Sequence, residues 1–220
     1  MEPVAHIRSP FADKFGVPRQ PNLAPHVISE IVFAPAYSSP ECVRGLTDFS
    51  HLWLIWGFHC NDGAAWHPTV RPPRLGGNTR VGVFATRSPF RPNGLGLSVV
   101  KLISVEPGPV LRVSGADMVD GTPIYDIKPY IPYADSLPTA TGGFTETPRN
   151  MLAVQFDCKL PHHAPTDWVI AVSEVLAQDP RPAYQHDPER IYHIIYKPFE
   201  LSFRVVDGVA HVVDIHPMPS

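Results

Sequence analysis

The sequence predicts a mainly β protein, with a β-rich body to about residue 140 and a small α+β unit after it. Three observations point there. Proline supplies 27 of 220 residues, more than twice the roughly 5% of average usage, and it is spread through the chain. A fixed φ and a missing N–H donor at that density forbid many long helices and central strands, and favour short strands joined by stiff loops. β-rich runs also follow one another without strand–helix alternation, which disfavours a doubly wound parallel sheet. Only one segment, Asp167–Gln178, reads clearly as a helix.

In chain order, Ile28–Phe33 and Ser50–His59 are rich in β-branched and aromatic residues, which suit a pleated surface. Val81–Thr86 follows a Gly-Gly turn. Leu97–Val105 and Val110–Val113 flank Glu106-Pro107-Gly108-Pro109, which predicts an antiparallel pair. Ala134–Asn150 (ADSLPTATGGFTETPRN) is polar, small and Gly/Pro-bearing, the best boundary in the chain. Beyond it, Thr166 or Asp167 can cap the helix, Trp168, Val172, Val175 and Leu176 share one face, and Pro180 stops it. Phe203–Val206 and Val209–Val213 flank Asp207-Gly208, and a type I′ turn there wants φ > 0 at both central residues.

Apolar residues make up 44% and charged residues 18%, the balance of a soluble globular protein. The longest apolar run, Leu52–Phe58, is far short of a membrane span, and no basic-then-apolar leader opens the chain. Cys42, Cys60 and Cys158 are odd in number and lack CxxC spacing. That disfavours a disulfide framework or a structural zinc site and fits a reducing cytoplasm. Net charge is −3, yet Gly63 to Val105 holds no Asp or Glu against Arg71, Arg74, Arg80, Arg87, Arg91 and Lys101. A solvated face would accept lysine equally well, so the preference for arginine favours phosphate or carboxylate recognition.

Familiar motifs are absent. Gly94-Leu95-Gly96 lacks the third glycine of a dinucleotide fingerprint, because Val99 stands there, and neither GxxxxGK[ST] nor GxSxG occurs. Eleven histidines invite a metal reading. However, His51 and His59 fall on one predicted strand about 27 Å apart at ~3.4 Å per residue. His162-His163 reads as a loop and no HExxH occurs, so no metal is expected. What remains are four Pro/Gly-bearing loops: Phe15–Asn22, Arg71–Asn78, Arg87–Ser98 and Asp117–Pro123. Proline lowers the entropic cost of ordering a loop, so polar side chains between prolines are presented ready for a ligand. One such loop merely turns a corner; four with Arg, Gln, Asn or Asp point to a composite binding site.

These loops, in this order, resemble the TsaA-like (TrmO) transfer-RNA methyltransferases. The matching stretches are IRSPF…KFGVPRQP, VRGLTDFSHLWLIWGFH, RPPRLGG, GVFATRSPFRPN, DMVDGTPIYDIKPYIPYADS and VLAQDPRPAY, within residues 7–184. The resemblance implies a compact single-sheet β-barrel over residues 1–140 that binds S-adenosylmethionine, a small α+β domain over residues 141–220, and a homodimer. It implies methylation of the exocyclic nitrogen of threonylcarbamoyladenosine next to the tRNA anticodon. It carries cofactor contacts onto Pro18, Arg19, Gln20, His59, Cys60, Arg87, Leu97, Asp117, Met118, Val119 and Asp120. Two positions depart from the family. Relatives commonly have Asn-Pro-Ile-Gly where this chain has Asn93-Gly94-Leu95-Gly96, and they can carry Gln in place of Cys60.

The methionyl carboxylate of that cofactor and the threonyl carboxylate of that base both call for Arg or amide donors. Arg71, Arg74, Arg91 and Asn93 are the expected RNA contacts. Trp66, Phe90 and Tyr130 offer stacking faces, although core packing is the commoner role of such rings. His59, Asp117 and Asp120 are candidates for proton removal, and the residues alone do not choose among them. Two alternatives stay open: a non-catalytic nucleotide- or RNA-binding adaptor, and a methyltransferase for another substrate. Finally, RSPF occurs twice, at Arg8–Phe11 and Arg87–Phe90, with unrelated flanks. Each copy is expected at a strand exit, where proline stops the strand.

Overall fold

The computed structural model describes residues 1–218 except 62–64, 148, 163, 183, 184 and 186. His163 of the His162-His163 pair, and Ala183 and Tyr184 of the last matching stretch, lie outside the described residues. The first half is a closed antiparallel barrel. Its strands are β1 (Ala5–Arg8), β2 (Ile28–Phe33), β3 (His51–Gly57), β6 (Leu95–Glu106), β7 (Val110–Ser114) and β8 (Pro123–Pro129). They are ordered β1-β2-β7-β6-β3-β8, and β1 closes on β8 through Ala5↔Ile124. Closure removes the exposed edges that short strands would otherwise present. Alternation supplies the core: Ile7, Ile31, Leu52, Leu54, Val100, Leu111 and Ile124 are all 0% exposed, each contributing about 1.5–3 kcal/mol by burial.

Two short strands, β4 (Thr69–Val70) and β5 (Val81–Gly82), pair apart from the barrel. The strand expected over Val81–Thr86 thus ends at Gly82. Thr86 turns back instead, its N–H and hydroxyl both donating to the Val83 carbonyl (3.1 and 2.8 Å), a local bond that competes with a ladder. The second RSPF therefore leaves a 3-10 turn, not a strand. β3 likewise stops at Gly57, and His59 lies in the turn His59–Asn61, so His51 and His59 do not share a strand.

After a single helical turn, α1 (Pro132–Asp135), the chain builds a second sheet. It contains β9 (Ala153–Phe156), β10 (Tyr192–Tyr196), β11 (Phe199–Val206) and β12 (Val209–Pro217) in the order β10-β11-β12-β9, with β9 parallel to β12. The helix α2 (Thr166–Ala177) buries Trp168, Val172, Val175 and Leu176, the face its periodicity predicts. Its N-cap is Pro165, with no side-chain cap; neither Thr166 nor Asp167 serves, and the Pro165 carbonyl accepts from Trp168 N (3.0 Å). The β11–β12 turn has φ of 47° at Asp207 and 78° at Gly208, as a type I′ turn demands.

The segment 9–27 between β1 and β2 leaves the barrel and enters the core of this second unit. Phe11, Ala24 and Val27 are buried there with Leu201, Phe203 and Val212. Phe11 meets Tyr196 edge-on at 5.5 Å, and Phe15 stacks on Tyr192 at 6.2 Å. At Gly16 (φ +94°) an added Cβ would lie 2.0 Å from Ile194 Cδ1, so only glycine permits the approach.

Candidate active site

Strand register gathers the relevant loops at one rim of the barrel. Arg8 pairs with Glu30, Ile28 with Ser114, Gly57 with Leu95 and Trp56 with Ile124. The connections β1–β2, β3–β6 and β7–β8 consequently emerge together. They carry all four loops singled out in the sequence.

These loops are tied to one another. Lys14 Nζ donates to the Cys60 carbonyl (3.1 Å) and to Asn61 Oδ1 (2.7 Å), joining the first connection to the second. Asn22, in the left-handed region at φ 63°, donates from Nδ2 to the Val99 carbonyl (2.9 Å) and from its N–H to Gly115 O (2.9 Å). Asparagine is among the few residues that tolerate that backbone conformation. Arg87 Nη1 donates to Gln20 Oε1, so two of the expected cofactor residues, 67 positions apart, meet directly.

Beside that pair lies a hydrogen-bonded relay. Trp56 Nε1 donates to Ser98 Oγ (3.0 Å), and Ser98 Oγ donates to Asp117 Oδ1 (2.6 Å). Trp56 lies across Gly96, where a Cβ would fall 2.2 Å from its ring. Burial pushes the Asp117 carboxyl up to about 6, against the opposing pull of the Ser98 hydroxyl, its own backbone N–H and the Arg87 guanidinium. Asp120 behaves differently. Burial works to raise it, but Lys197 Nζ at 2.5 Å and Ser9 N–H at 2.9 Å hold it below the usual carboxylate range. Its carboxylate thereby joins the rim to the C-terminal sheet.

The remaining expected cofactor residues are distributed unevenly. His59 Nε2 sits 3.2 Å from Cys60 Sγ, with Nδ1 3.4 Å from Thr122 Oγ1. Leu97 is 55% exposed on β6, opposite Ile55. Pro18 is buried, and Met118 turns its side chain into the barrel core, so only its backbone can reach a ligand. The Val119 carbonyl already accepts from the Thr122 hydroxyl (2.7 Å). Arg19 donates from Nη2 to the Arg181 carbonyl (2.9 Å).

Among the expected RNA contacts, Arg71 and Asn93 are exposed. Arg91 instead braces its own loop, with Nη1 donating to the carbonyls of Thr86 (3.2 Å) and Ser88 (3.4 Å). Arg74 Nη1 donates to Thr147 O (2.6 Å). Trp66 and Phe90 are exposed, whereas Tyr130 packs on Trp53 at 5.8 Å. At Gly94 φ is +56°, which proline cannot adopt. Sequence reasoning missed Lys14 and Ser98. Ser98 had a signal, since it is a hydroxyl on the inward side of an alternating strand.

The barrel rim thus groups an arginine, an amide and a largely buried carboxylate, a set able to bind a polar, charged ligand. A family model described as the tRNA-methyltransferase O N-terminal domain matches residues 6–136, and the TrmO C-terminal domain model matches residues 152–218. The chain belongs to the tRNA-methyltransferase O family. It is 42% identical to the tRNA (adenine(37)-N6)-methyltransferase of Escherichia coli K12, covering 98% of this chain and 97% of that protein. It is 48% identical to a protein of the same name from Eikenella corrodens, covering 74% of this chain and 94% of the relative. The crystal structure of TrmO from Pseudomonas aeruginosa superposes with a TM-score of 0.82 at 33% identity, covering 98% of this chain and 96% of that one.

Proposed function

We propose that this protein transfers a methyl group from S-adenosylmethionine to the exocyclic nitrogen of adenosine 37 in tRNA, the base next to the anticodon that carries the threonylcarbamoyl group. Family membership and the whole-length match to a tRNA (adenine(37)-N6)-methyltransferase support the reaction. The observation that carries the site is the convergence of Arg87, Gln20 and the Ser98–Asp117 pair on one rim.

The donor set suits that cofactor. A guanidinium and an amide match its carboxylate, the Asp117 carboxylate matches ribose hydroxyls, and exposed Leu97 offers apolar surface to a base ring. When bound, the cofactor supplies an electrophilic sulfonium methyl. Arg87 and Gln20 would hold it at the rim, and exposed Arg71 and Asn93 would be available to the RNA. Fixing the nucleophile in line supplies on the order of 7 kcal/mol or more of the barrier. Asp120, whose basicity Lys197 lowers, is a poor proton acceptor, and Asp117, raised to about 6, is the more basic of the two rim carboxylates.

We take residues 1–140 as the cofactor-binding unit and residues 141–220 as its companion, working in the cytoplasm as a homodimer. Exposed Ile103 on the outward side of β6 supports self-association, and light scattering tests it. For the reaction, titration calorimetry with S-adenosylmethionine should give a saturable heat. Nucleoside mass spectrometry of tRNA from a deletion strain should show the methylated base lost. An unchanged ratio of methylated to unmethylated base overturns the substrate, and no binding at millimolar cofactor overturns the enzyme.

A further inference from the structure

The chain contains four Pro-Arg dipeptides: Pro18-Arg19, Pro73-Arg74, Pro148-Arg149 and Pro180-Arg181. They are scattered over the whole length, yet their arginines converge on the seam between the barrel rim and the C-terminal unit. Arg19 Nη2 donates to the Arg181 carbonyl at 2.9 Å, and Arg74 Nη1 donates to the Thr147 carbonyl at 2.6 Å, two residues from Arg149. Burial and then the guanidinium groups of Arg19 and Arg74 depress Arg149, with Asp179 opposing.

That carboxylate is already engaged. Arg181 grips it in bidentate fashion, Nε to Oδ1 at 2.7 Å and Nη2 to Oδ2 at 2.9 Å. Among the described residues, no acidic side chain forms an ion pair with Arg19, Arg74 or Arg149. Guanidinium does not deprotonate in proteins, so the crowding is not relieved by loss of a proton. A tetrahedral oxyanion relieves it, with oxygens for several planar forks at once. Pro18, Pro73 and Pro180 restrict the backbone that presents the arginines following them.

We infer that this seam is a phosphate seat for the RNA backbone, formed by Arg19, Arg74 and Arg149 and completed only where the C-terminal unit, through the Arg181 carbonyl, meets the rim. The inference rests on the tRNA reading above and gives the C-terminal unit a task in it: orienting the RNA while the rim holds the cofactor. It also separates Arg19 from Arg87, turning its side chain to the substrate.

The test uses the full-length protein, Arg149→Gln, and the double variant with Arg74→Gln. The probe is an anticodon stem–loop RNA bearing threonylcarbamoyladenosine. Affinity followed over a salt series should fall roughly five- to tenfold for Arg149→Gln, and the double variant should lose about one to two units of slope in log K against log salt. Cofactor affinity should be unchanged, and the melting temperature of Arg149→Gln should not drop, because that substitution relieves repulsion. A lowered melting temperature with a wild-type salt slope marks a structural role and overturns the seat. Millimolar inorganic phosphate that stabilises wild type but not Arg149→Gln, with RNA binding intact, marks a free-phosphate site and overturns it as well. The two readings fail separately. Wild type that binds this RNA through the seam but transfers no methyl defeats the reaction alone. Wild type that methylates, beside a double variant with an unaltered slope, defeats the seat alone.

Discussion

Arg8–Phe11 and Arg87–Phe90 have identical sequences and share one local hydrogen bond, but their surroundings differ. In each, the serine hydroxyl accepts from the phenylalanine N–H two residues on, at 3.3 Å in the first and 3.2 Å in the second. Both leave the same rim. Beyond that they diverge. Phe11 is 0% exposed inside the C-terminal core, whereas Phe90 is 45% exposed. Arg8 lies beside Glu30 on the outer barrel wall at 3.7 Å, while Arg87 reaches across to Gln20 and Asp117. Local sequence dictates the turn, and partners distant in the chain dictate its role.

The sharpest way to break that comparison is to remove each phenylalanine. Phe11→Ala empties a core position against Tyr196 and should cost about 3–5 kcal/mol in denaturant unfolding. Phe90→Ala, on an exposed loop, should stay within about 0.5 kcal/mol. Equal losses would mean that the two copies are equivalent after all.

The arginines come next in size. Arg87→Ala removes a charged hydrogen-bond donor worth about 1.5–3 kcal/mol, and cofactor affinity measured by calorimetry should fall roughly ten- to a hundredfold. The fold should survive, because the side chain is exposed and its loop is polar. Normal affinity in a folded variant would take Arg87 out of the site.

Much of the fold was legible because it is written locally. The alternation of β6, the apolar face of α2 and the Asp207-Gly208 turn each need only neighbouring residues. The expected exit of the second RSPF from a strand failed because Thr86 satisfies its backbone inside its own turn. Part of the site was legible too, since Arg87, Gln20 and Asp117 stood out in Pro/Gly loops. The Ser98–Asp117 contact and the entry of residues 9–27 into the second core depend on register and tertiary closure, which no local window carries. Four Pro-Arg pairs are visible to anyone reading the chain, but their convergence is not.

Asp117 provides a test of the rim that the first RSPF does not touch. Its folded carboxyl lies near 6, above the roughly 3.9 of an unfolded aspartate. A raised acid binds more protons when folded, so its contribution to stability is present below about 3.9 and is lost as pH rises through about 6. From pH 5 to 7, wild type should lose roughly 1 kcal/mol relative to Asp117→Asn, read as a converging or crossing pair of melting curves. Parallel curves would mean that the carboxyl ionises as freely as in solvent. Asparagine keeps a carbonyl oxygen for the Ser98 hydroxyl, so the difference reports charge and not a lost hydrogen bond.

The smallest effect is expected at Arg8, and its smallness is the point. Arg8 and Arg112 flank Glu30 in register across β1, β2 and β7. The Arg8–Glu30 pair spans 3.7 Å with side chains 69% and 43% exposed. Exposed pairs of this kind contribute about 0–1 kcal/mol and are screened by salt. Arg8→Ala leaves Glu30 beside Arg112, so stability should shift by at most about 0.5 kcal/mol and less at high ionic strength. Cofactor affinity should not move at all. If Arg8→Ala weakened cofactor binding as Arg87→Ala does, the outer wall would belong to the site. The division between a structural copy and a functional copy of the same tetrapeptide would then collapse.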